Sequence, residues 1–328
     1  MRQIKYIFFT FLMITSLNAL SDIEDLYIQA QKFEAVGNYK KAMQIYKDIA
    51  SKQKKINRVY IDEDKQKELQ SINETIDTIE DKETTATIQQ IIASTFELYP
   101  YQENYLLPFS YDMHKRKGRK QTETKFQISI KKPIVHNFFG LDETINFGYT
   151  HTSFWQLYDS SSPFRETNYK PELFVNIPYG KKDKTSLKGF TLGVIHESNG
   201  EAEEKSRSWN RLYLESYFQL GNLFLIPKVW YRFHEDEESD DNPDLIDYMG
   251  YGDLTLVYPY KKHTFKVLLR NNLKRNDNKG FIEGNWTFPL FNSKNTFGFV
   301  QMSSGYGESL IDYDKEINRI SFGISLSR

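Results

Sequence analysis

Apolar and polar residues alternate one by one along most of the chain beyond residue 103. Phe126, Ile128 and Ile130, for example, are separated by Gln127 and Ser129. Because successive side chains of a strand point to opposite faces, this period of two predicts strands with one apolar and one polar face. Twelve such stretches lie near residues 103–113, 124–136, 144–157, 168–180, 188–198, 207–219, 222–233, 248–260, 263–273, 280–290, 296–305 and 317–328. An even number of long, one-sided strands indicates an all-β fold, a 12-stranded antiparallel transmembrane β-barrel.

The connections between these stretches alternate between short and long. Tight turns are predicted at 220–222 and 261–263, and longer connections at 158–167, 199–206, 234–247 and 306–316. In bacterial outer-membrane barrels the short turns face the periplasm and the long loops face outward. We therefore expect the loop after residue 198 to open on the outer surface. We interpret the acidic stretch 234–241 as a solvated external loop.

The first part of the chain follows a different pattern. Residues 1–19 contain Arg2 and Lys5, an apolar run and Ala19, which is typical of a secretory signal peptide. Residues 20–95 are predicted to be a helical and linker segment in the periplasm. Within it, 26–53 have the spacing of one tetratricopeptide-like helical pair, although an amphipathic helical hairpin explains the same spacing. The barrel domain is expected to span 97–328.

Composition narrows the class of protein further. The chain has 328 residues, a formal charge of −1 and no cysteine. The lack of cysteine excludes disulfides, zinc–thiolate sites and thiol catalysis. The near-neutral charge gives no reason to expect a nucleic-acid partner. A mean hydropathy of −0.62 is too low for a bundle of transmembrane helices. An aromatic content of 15 % suits a barrel with interfacial aromatic girdles.

Three polar residues with complementary chemistry lie at the end of one predicted hairpin. His196 and Ser198 share a face of one strand, and Asn210 lies on the strand that returns beside it. A serine hydroxyl becomes a good nucleophile when a base, usually histidine, takes its proton, and an asparagine can hold the histidine ring. The three residues are therefore a candidate catalytic set, although ordinary polar residues of a hairpin would give the same pattern.

The phase of the alternation places this candidate set on the lipid-facing side of the barrel. His196 is in phase with Leu192 and Val194. In a membrane barrel the apolar face points into lipid. A serine hydrolase at the outer rim of that face meets one abundant ester, which is membrane lipid. The sequence therefore predicts a lipid ester as the substrate class.

Four segments around this hairpin resemble the outer-membrane phospholipase A family. They read HESNG at 196–200, SRSWNRLY at 206–213, SFWQL at 153–157 and SSPFRETNY at 161–169, with matching spacing between them. The resemblance extends from about residue 97 to the end of the chain. It implies hydrolysis of acyl esters of phospholipids and lysophospholipids at the 1- and 2-positions. It also implies that Ser198 is the nucleophile, His196 the base and Asn210 the residue that orients His196. The backbone N–H of Gly200 would contribute to the oxyanion hole.

The same resemblance implies one Ca²⁺ at each active site and a homodimer in the outer membrane, with the site facing the outer leaflet. The ligands would be the Ser206 hydroxyl, the backbone carbonyl of Glu201 and Ser161 of a second subunit, all of them oxygen donors. The family often has arginine where this chain has Glu201, but a main-chain ligand survives such a change.

A second argument for a dimer comes from His151. This residue is in phase with Phe147 and Tyr149 and therefore faces lipid near the middle of its strand. A polar side chain in lipid is costly unless it contacts protein. The resemblance places a dimer contact at this position, so we predict that His151 contacts the second subunit.

Two functions of other classes remain open from the sequence. One is a structural or channel-forming barrel without catalysis. The lumen-facing side chains are large and of mixed charge, which favours a filled lumen over a channel. They are Arg211, Tyr213, Glu215, Tyr217, Arg232 and Lys266. The other is an adhesion or assembly role of the N-terminal helices, which a partner lost on deletion of 22–90 would support.

Overall fold

The computed structural model describes residues 26, 29–34, 38–39, 41–48, 77, 79–81, 83–85, 88, 98–236, 240–290, 293 and 296–327. The chain divides into two compact units, residues 1–66 and 67–328. The expected signal peptide at 1–19 lies outside the described residues. No helix in the described ranges is long and apolar enough to cross a membrane.

Thirteen strands make up one sheet in the second unit. They are β1 (Tyr99–Pro100), β2 (Tyr105–Asp112), β3 (Thr122–His136), β4 (Thr144–Trp155), β5 (Phe164–Pro178), β6 (Leu187–Ser198), β7 (Ser208–Leu220), β8 (Leu223–Arg232), β9 (Gly252–Tyr260), β10 (His263–Asn271), β11 (Gly280–Pro289), β12 (Phe297–Gly305) and β13 (Ile317–Ser325). From β2 onward each strand pairs antiparallel with the next, and β13 pairs with β2. This closure confirms the predicted 12-stranded antiparallel barrel, to which the two-residue strand β1 is added beside β3.

One predicted strand begins too early. Residues 248 and 249 were expected in a strand but belong to a short helix, Leu245–Met249. Leu245 and Met249 are buried and four residues apart, so they lie on one face of the helix. Gly250 ends the helix with a φ of 64°, a conformation that glycine adopts without strain. β9 then begins at Gly252.

The two faces of the strands differ as the alternation predicts. On β6, Leu192, Val194 and His196 are exposed, whereas Ile195 and Glu197 are buried. The exposed apolar residues form the outer surface of the barrel, and the buried residues point into the lumen. The predicted orientation of the candidate catalytic strand is therefore correct.

Side chains fill the lumen. A buried cluster there includes Phe174, Trp209, Tyr213 and Trp230. Elsewhere in the lumen, Arg319 Nη1 lies 2.8 Å from Glu123 Oε1, and Arg319 Nε donates to Glu308 at 2.9 Å. The six lumen-facing residues predicted from the sequence are all buried or half-buried. The expectation of a filled lumen is therefore correct.

The connections predicted to be long all leave one end of the barrel, which we call the loop end, and the two predicted tight turns leave the other, the turn end. Asp77 and Thr84 contact the turn end. The backbone N–H of Asp77 donates to Gln219 Oε1 at 2.8 Å, and the Asp77 carboxylate pairs with Lys188. The Lys261 N–H donates to Thr84 Oγ1 at 3.0 Å. Part of the predicted linker is thus bound to the barrel.

The described residues of the first unit form two helical stretches, 29–34 and 41–48. Ala30 and Ala42 are buried. The Asn38 N–H donates to the Phe33 carbonyl at 2.8 Å, and the Ala42 N–H donates to the Asn38 carbonyl at 3.1 Å. These stretches agree with a helical pair. Its relation to the tetratricopeptide repeat and its role stay predictions.

Candidate active site

His196 and Asn210 face each other across the β6–β7 ladder at the loop end. They are direct Cα partners in the antiparallel register. Their side chains share the outer face, and His196 Nδ1 lies 2.9 Å from Asn210 Oδ1. An amide oxygen can only accept a hydrogen bond, so the Nδ1 of His196 carries the proton. Nε2 is then the nitrogen with a free lone pair, as a general base requires.

Ser198 lies two residues along β6 on the same face and is half-buried. It is the last residue of the strand. No hydrogen bond joins its hydroxyl to His196 within the part of the chain that the structure describes. Such bonds are often long without substrate and shorten when the substrate binds. The structure thus brings His196 and Asn210 together and leaves Ser198 adjacent to them.

The buried side of the same hairpin holds the strands in place. Glu197 points into the lumen, where its carboxylate lies 2.6 Å from Arg211 Nη2 and 3.1 Å from Lys170 Nζ. It also accepts from the indole N–H of Trp209 at 3.1 Å. The Arg211 guanidinium stacks on the Trp209 ring at 3.5 Å. These contacts connect β5, β6 and β7 directly beneath the candidate site.

The loop 199–207 is organised by the side chain of Asn199. Its Oδ1 accepts from the N–H of Arg207 at 3.0 Å and of Glu201 at 3.3 Å, and its Nδ2 donates to the Lys205 carbonyl at 2.8 Å. Gly200 has a φ of 68°, and a Cβ there would lie 3.0 Å from Tyr169 Cε2. The positive φ at Gly200 favours glycine, and a Cβ there would also press on the Tyr169 ring.

The predicted calcium ligands lie in two separate loops. Ser206 and Glu201 belong to the loop 199–207, and the Ser206 hydroxyl donates to Asp241 Oδ2. Ser161 is exposed in the loop between β4 and β5. In the described ranges no group of three or more His, Asp or Glu could hold a metal. The predicted ligands are mainly hydroxyl and carbonyl oxygens, which fit Ca²⁺ together with the Asp241 carboxylate.

The interpretation of 234–241 as a solvated loop is incomplete, because His234, Asp236 and Asp241 are exposed but other contacts tie the loop to the barrel. Asp240 pairs with Arg232 at 2.6 Å, and Asp241 accepts from Ser206. Glu235 Oε1 accepts from Asn210 Nδ2 at 3.1 Å. The fully buried Asn242 accepts from the Ser208 N–H at 2.9 Å. The residues 240–244, DDNPD, combine turn formers with acceptors, a signal that could have suggested a folded loop.

A shallow apolar groove lies on the outer surface beside His196. Its lining includes Phe147, Leu173, Val194 and Phe233, together with His196 and Asn210. The groove runs along the outward faces of β4, β5, β6 and β7. An apolar groove that ends at a candidate general base is suited to a long apolar chain attached to a reactive group.

His151 lies on the outer face of β4, as its phase predicts. It is half-buried among three aromatic rings, those of Phe126, Tyr149 and Tyr169, with centroid distances between 5.8 and 6.2 Å. Tyr169 is the register partner of both His151 and Ser198. The surface around His151 is thus continuous with the candidate site.

The closed barrel, its apolar outer face and its alternating loops and turns define an integral β-barrel protein of a membrane. A model of the family Phospholipase A1 matches residues 81–326. The putative phospholipase A1 of Neisseria meningitidis serogroup B is 40% identical over 218 residues, which are 63% of this chain and 55% of that protein. The phospholipase A1 of Escherichia coli K12 is 36% identical over 246 residues, which are 71% of this chain and 82% of that protein.

A solved structure shows the same fold at significant sequence identity. It is described as the Salmonella typhi outer membrane phospholipase dimer with bound calcium. It is 32% identical, has a TM-score of 0.66, and the match covers 75% of this chain and 99% of that one.

The chain belongs to the phospholipase A1 family. It spans about half the length of the Neisseria relative and four fifths of the Escherichia one. The predicted family, the hydrolase class of that family and the location in the bacterial outer membrane are thereby confirmed.

Proposed function

We propose that this chain hydrolyses acyl ester bonds of phospholipids and lysophospholipids in the outer membrane, at the 1- and 2-positions. The observation that carries the proposal is the contact of 2.9 Å between His196 Nδ1 and Asn210 Oδ1 on the outward face of the barrel. Ser198 lies on the same face of the same strand. A nucleophile, a base and an orienting amide thus stand together on a surface that meets lipid.

The reaction follows from the roles of these groups. Ser198 Oγ attacks the ester carbonyl carbon while His196 Nε2 takes the hydroxyl proton. Asn210 keeps the imidazole in the tautomer whose Nε2 is basic. The backbone N–H of Gly200 donates to the oxygen that becomes negative in the tetrahedral intermediate. His196 then gives its proton to the departing lysophospholipid oxygen. Water activated by His196 hydrolyses the acyl-serine and restores the enzyme.

The groove beside His196 supplies the binding of the acyl chain. Its apolar lining lies at lipid depth on the outward face, so an acyl chain enters it without crossing water. The filled lumen argues against the alternative of a channel, because charged and aromatic side chains occupy the path that ions would need.

Calcium dependence and activation by dimerisation are part of the proposal. The Ser206 hydroxyl, the Glu201 carbonyl and the Asp241 carboxylate would hold the ion in one subunit, and Ser161 of a second copy would complete the set. When bound, Ca²⁺ would supply positive charge that stabilises the oxyanion. Ser161 is exposed in its own loop, where a second copy of the chain can reach it. His151 would contribute to the contact between the two copies.

The test is fatty-acid release from phospholipid–detergent micelles, with calcium and with excess chelator. Ser198→Ala should lower the rate by roughly a thousandfold or more. Ser216→Ala, a matched change on the same outward face farther down β7, should leave the rate unchanged. Release that vanishes with chelator supports the calcium site. Equal release by Ser198→Ala and the wild type would refute the hydrolase.

A further inference from the structure

The catalytic amide has a second partner beyond His196. Asn210 Nδ2 donates to Glu235 Oε1 at 3.1 Å, while Asn210 Oδ1 faces His196 Nδ1 at 2.9 Å. The two ends of one amide therefore connect a carboxylate to the imidazole. This orientation of the amide satisfies both neighbours, because the carboxylate can only accept and the imidazole N–H can donate.

A backbone hydrogen bond holds the start of the loop that carries Glu235. The loop that follows β8 begins with a hydrogen bond from the Phe233 N–H to the carbonyl of Asn210, at 2.8 Å. This bond extends the β7–β8 pairing by one residue and holds the start of the loop against Asn210. Glu235, two residues further on, is half-buried there. The Phe233 ring lines the groove together with His196 and Asn210.

The other described acidic residues of this loop that contact the site have different partners. Asp240 pairs with Arg232 at 2.6 Å, and Asp241 accepts from Ser206. Glu235 therefore supplies the carboxylate that touches the candidate triad within the described part of the loop.

We propose that Glu235 is a positioning residue of the catalytic site, acting on His196 through the amide of Asn210. The inference rests on the hydrolase function proposed above. A charged acceptor strengthens the hydrogen bond that Asn210 donates and shifts electron density toward Oδ1. Oδ1 then holds the His196 N–H more strongly and stabilises the imidazolium formed during the reaction. Glu235 thus provides, through the Asn210 amide, the negative charge that an aspartate provides by direct contact in a Ser–His–Asp triad.

The first test replaces the carboxylate and keeps its shape. Glu235→Gln should lower kcat about tenfold with little change in KM, because the interaction is strongest in the charged transition state. Asp236→Asn removes the same charge one residue away and should leave kcat unchanged. In an Asn210→Ala background, Glu235→Gln should cause no further loss, because its effect passes through the amide.

The second test exchanges the charge between the two positions. Asn210→Asp alone puts an oxygen where Nδ2 now lies 3.1 Å from Glu235 Oε1, and the repulsion should lower kcat. Adding Glu235→Gln to Asn210→Asp gives the new carboxylate an amide donor. The double variant should therefore recover at least about tenfold over Asn210→Asp alone.

Three results would overturn the inference. The first is an equal kcat for Glu235→Gln and wild type while Ser198→Ala is inactive. In that case the role of Glu235 would be refuted and the hydrolase proposal would stand. The second is additive loss with Asn210→Ala, which would show that Glu235 acts by another route. The third is a lower kcat that excess calcium restores, which would make Glu235 a calcium residue. Loss of the hydrolase itself would appear separately, as an active Ser198→Ala.

Discussion

Glu197 occupies the position between His196 and Ser198, and its replacement should destabilise the barrel. Its side chain is 6% exposed, and its carboxylate lies 2.6 Å from the Arg211 guanidinium. The Arg211 side chain is itself 10% exposed. Glu197→Ala would leave this guanidinium in the lumen without its direct partner.

The magnitude follows from the burial of each partner. Removing one partner of a buried ion pair costs about 3–5 kcal/mol, because the remaining charge stays desolvated. Asp253 and Glu172 also attract Arg211, which argues for the lower end, about 3 kcal/mol. The contact with Lys170 adds little, since that side chain is 31% exposed and can return to water. Glu197→Gln keeps an acceptor for Trp209 and Arg211 and should cost only about 1–2 kcal/mol.

The measurement is equilibrium unfolding in urea in detergent micelles, followed by tryptophan fluorescence. The free energy of unfolding should decrease in the order wild type, Glu197→Gln, Glu197→Ala. Leu192→Ala, a change on the lipid-facing side of the same strand, controls for altered strand propensity. A loss of under about 1 kcal/mol for Glu197→Ala, or equal losses for both variants, would contradict the buried-pair account.

Three further predictions concern the loops. Gly200→Ala should lower kcat several-fold, because φ is 68° and the new Cβ would meet the Tyr169 ring. Gly221→Ala is the control for backbone strain alone, because Gly221 has a φ of 61° and nothing within 4 Å of the position of a Cβ. Ser206→Ala should raise the calcium concentration for half-maximal fatty-acid release about tenfold, and an unchanged value would remove Ser206 from the ligands. Burial opposes the charge of Asp312, but two arginines outweigh it and hold the pKa of this carboxyl well below its usual range. The ionised Asp312 carboxylate therefore stabilises the folded state above the unfolded pKa of about 3.9, and this stabilisation is lost as pH falls toward the folded pKa. The urea midpoint of Asp312→Asn should depend less on pH in that range than the midpoint of the wild type.

The barrel could be predicted because its signal is local. Each strand repeats every two residues, and the observed bounds of most strands lie within a few residues of the predicted ones. The pairing of His196 with Asn210 followed from the same regularity, since consecutive strands of a barrel pair antiparallel and the two residues lie near the ends that one loop joins. The helix Leu245–Met249 was missed because its five residues give too little periodicity to separate it from the start of β9.

The acidic residues that contact the candidate site could not be predicted from the sequence, because their positions depend on how the loop after β8 folds back onto the barrel. Glu235 and Asp241 are separated from Asn210 by a strand and a turn, and no periodic pattern relates them. Their carboxylates could equally have pointed into water. The deciding contacts are the backbone hydrogen bond from Phe233 to Asn210 and the pairing of Asp240 with Arg232. Neither can be read from composition or spacing.

The alternation of side chains along β6 and β7 also separates the residues proposed for catalysis from those that stabilise the barrel. His196 and Asn210 point outward to lipid, while Glu197 and Arg211, their neighbours in sequence, point inward and hold the barrel together. Changes one residue apart should therefore separate catalysis from stability. Outward changes such as Ser198→Ala should abolish turnover and leave the unfolding midpoint near that of the wild type, whereas inward changes should shift the midpoint. His196, Ser198 and Asn210 face lipid wherever the barrel is inserted, so access to substrate cannot control the proposed activity. Control then has to come from a part of the site that is not always present. The proposed completion of the site by a loop of a second subunit would provide that control.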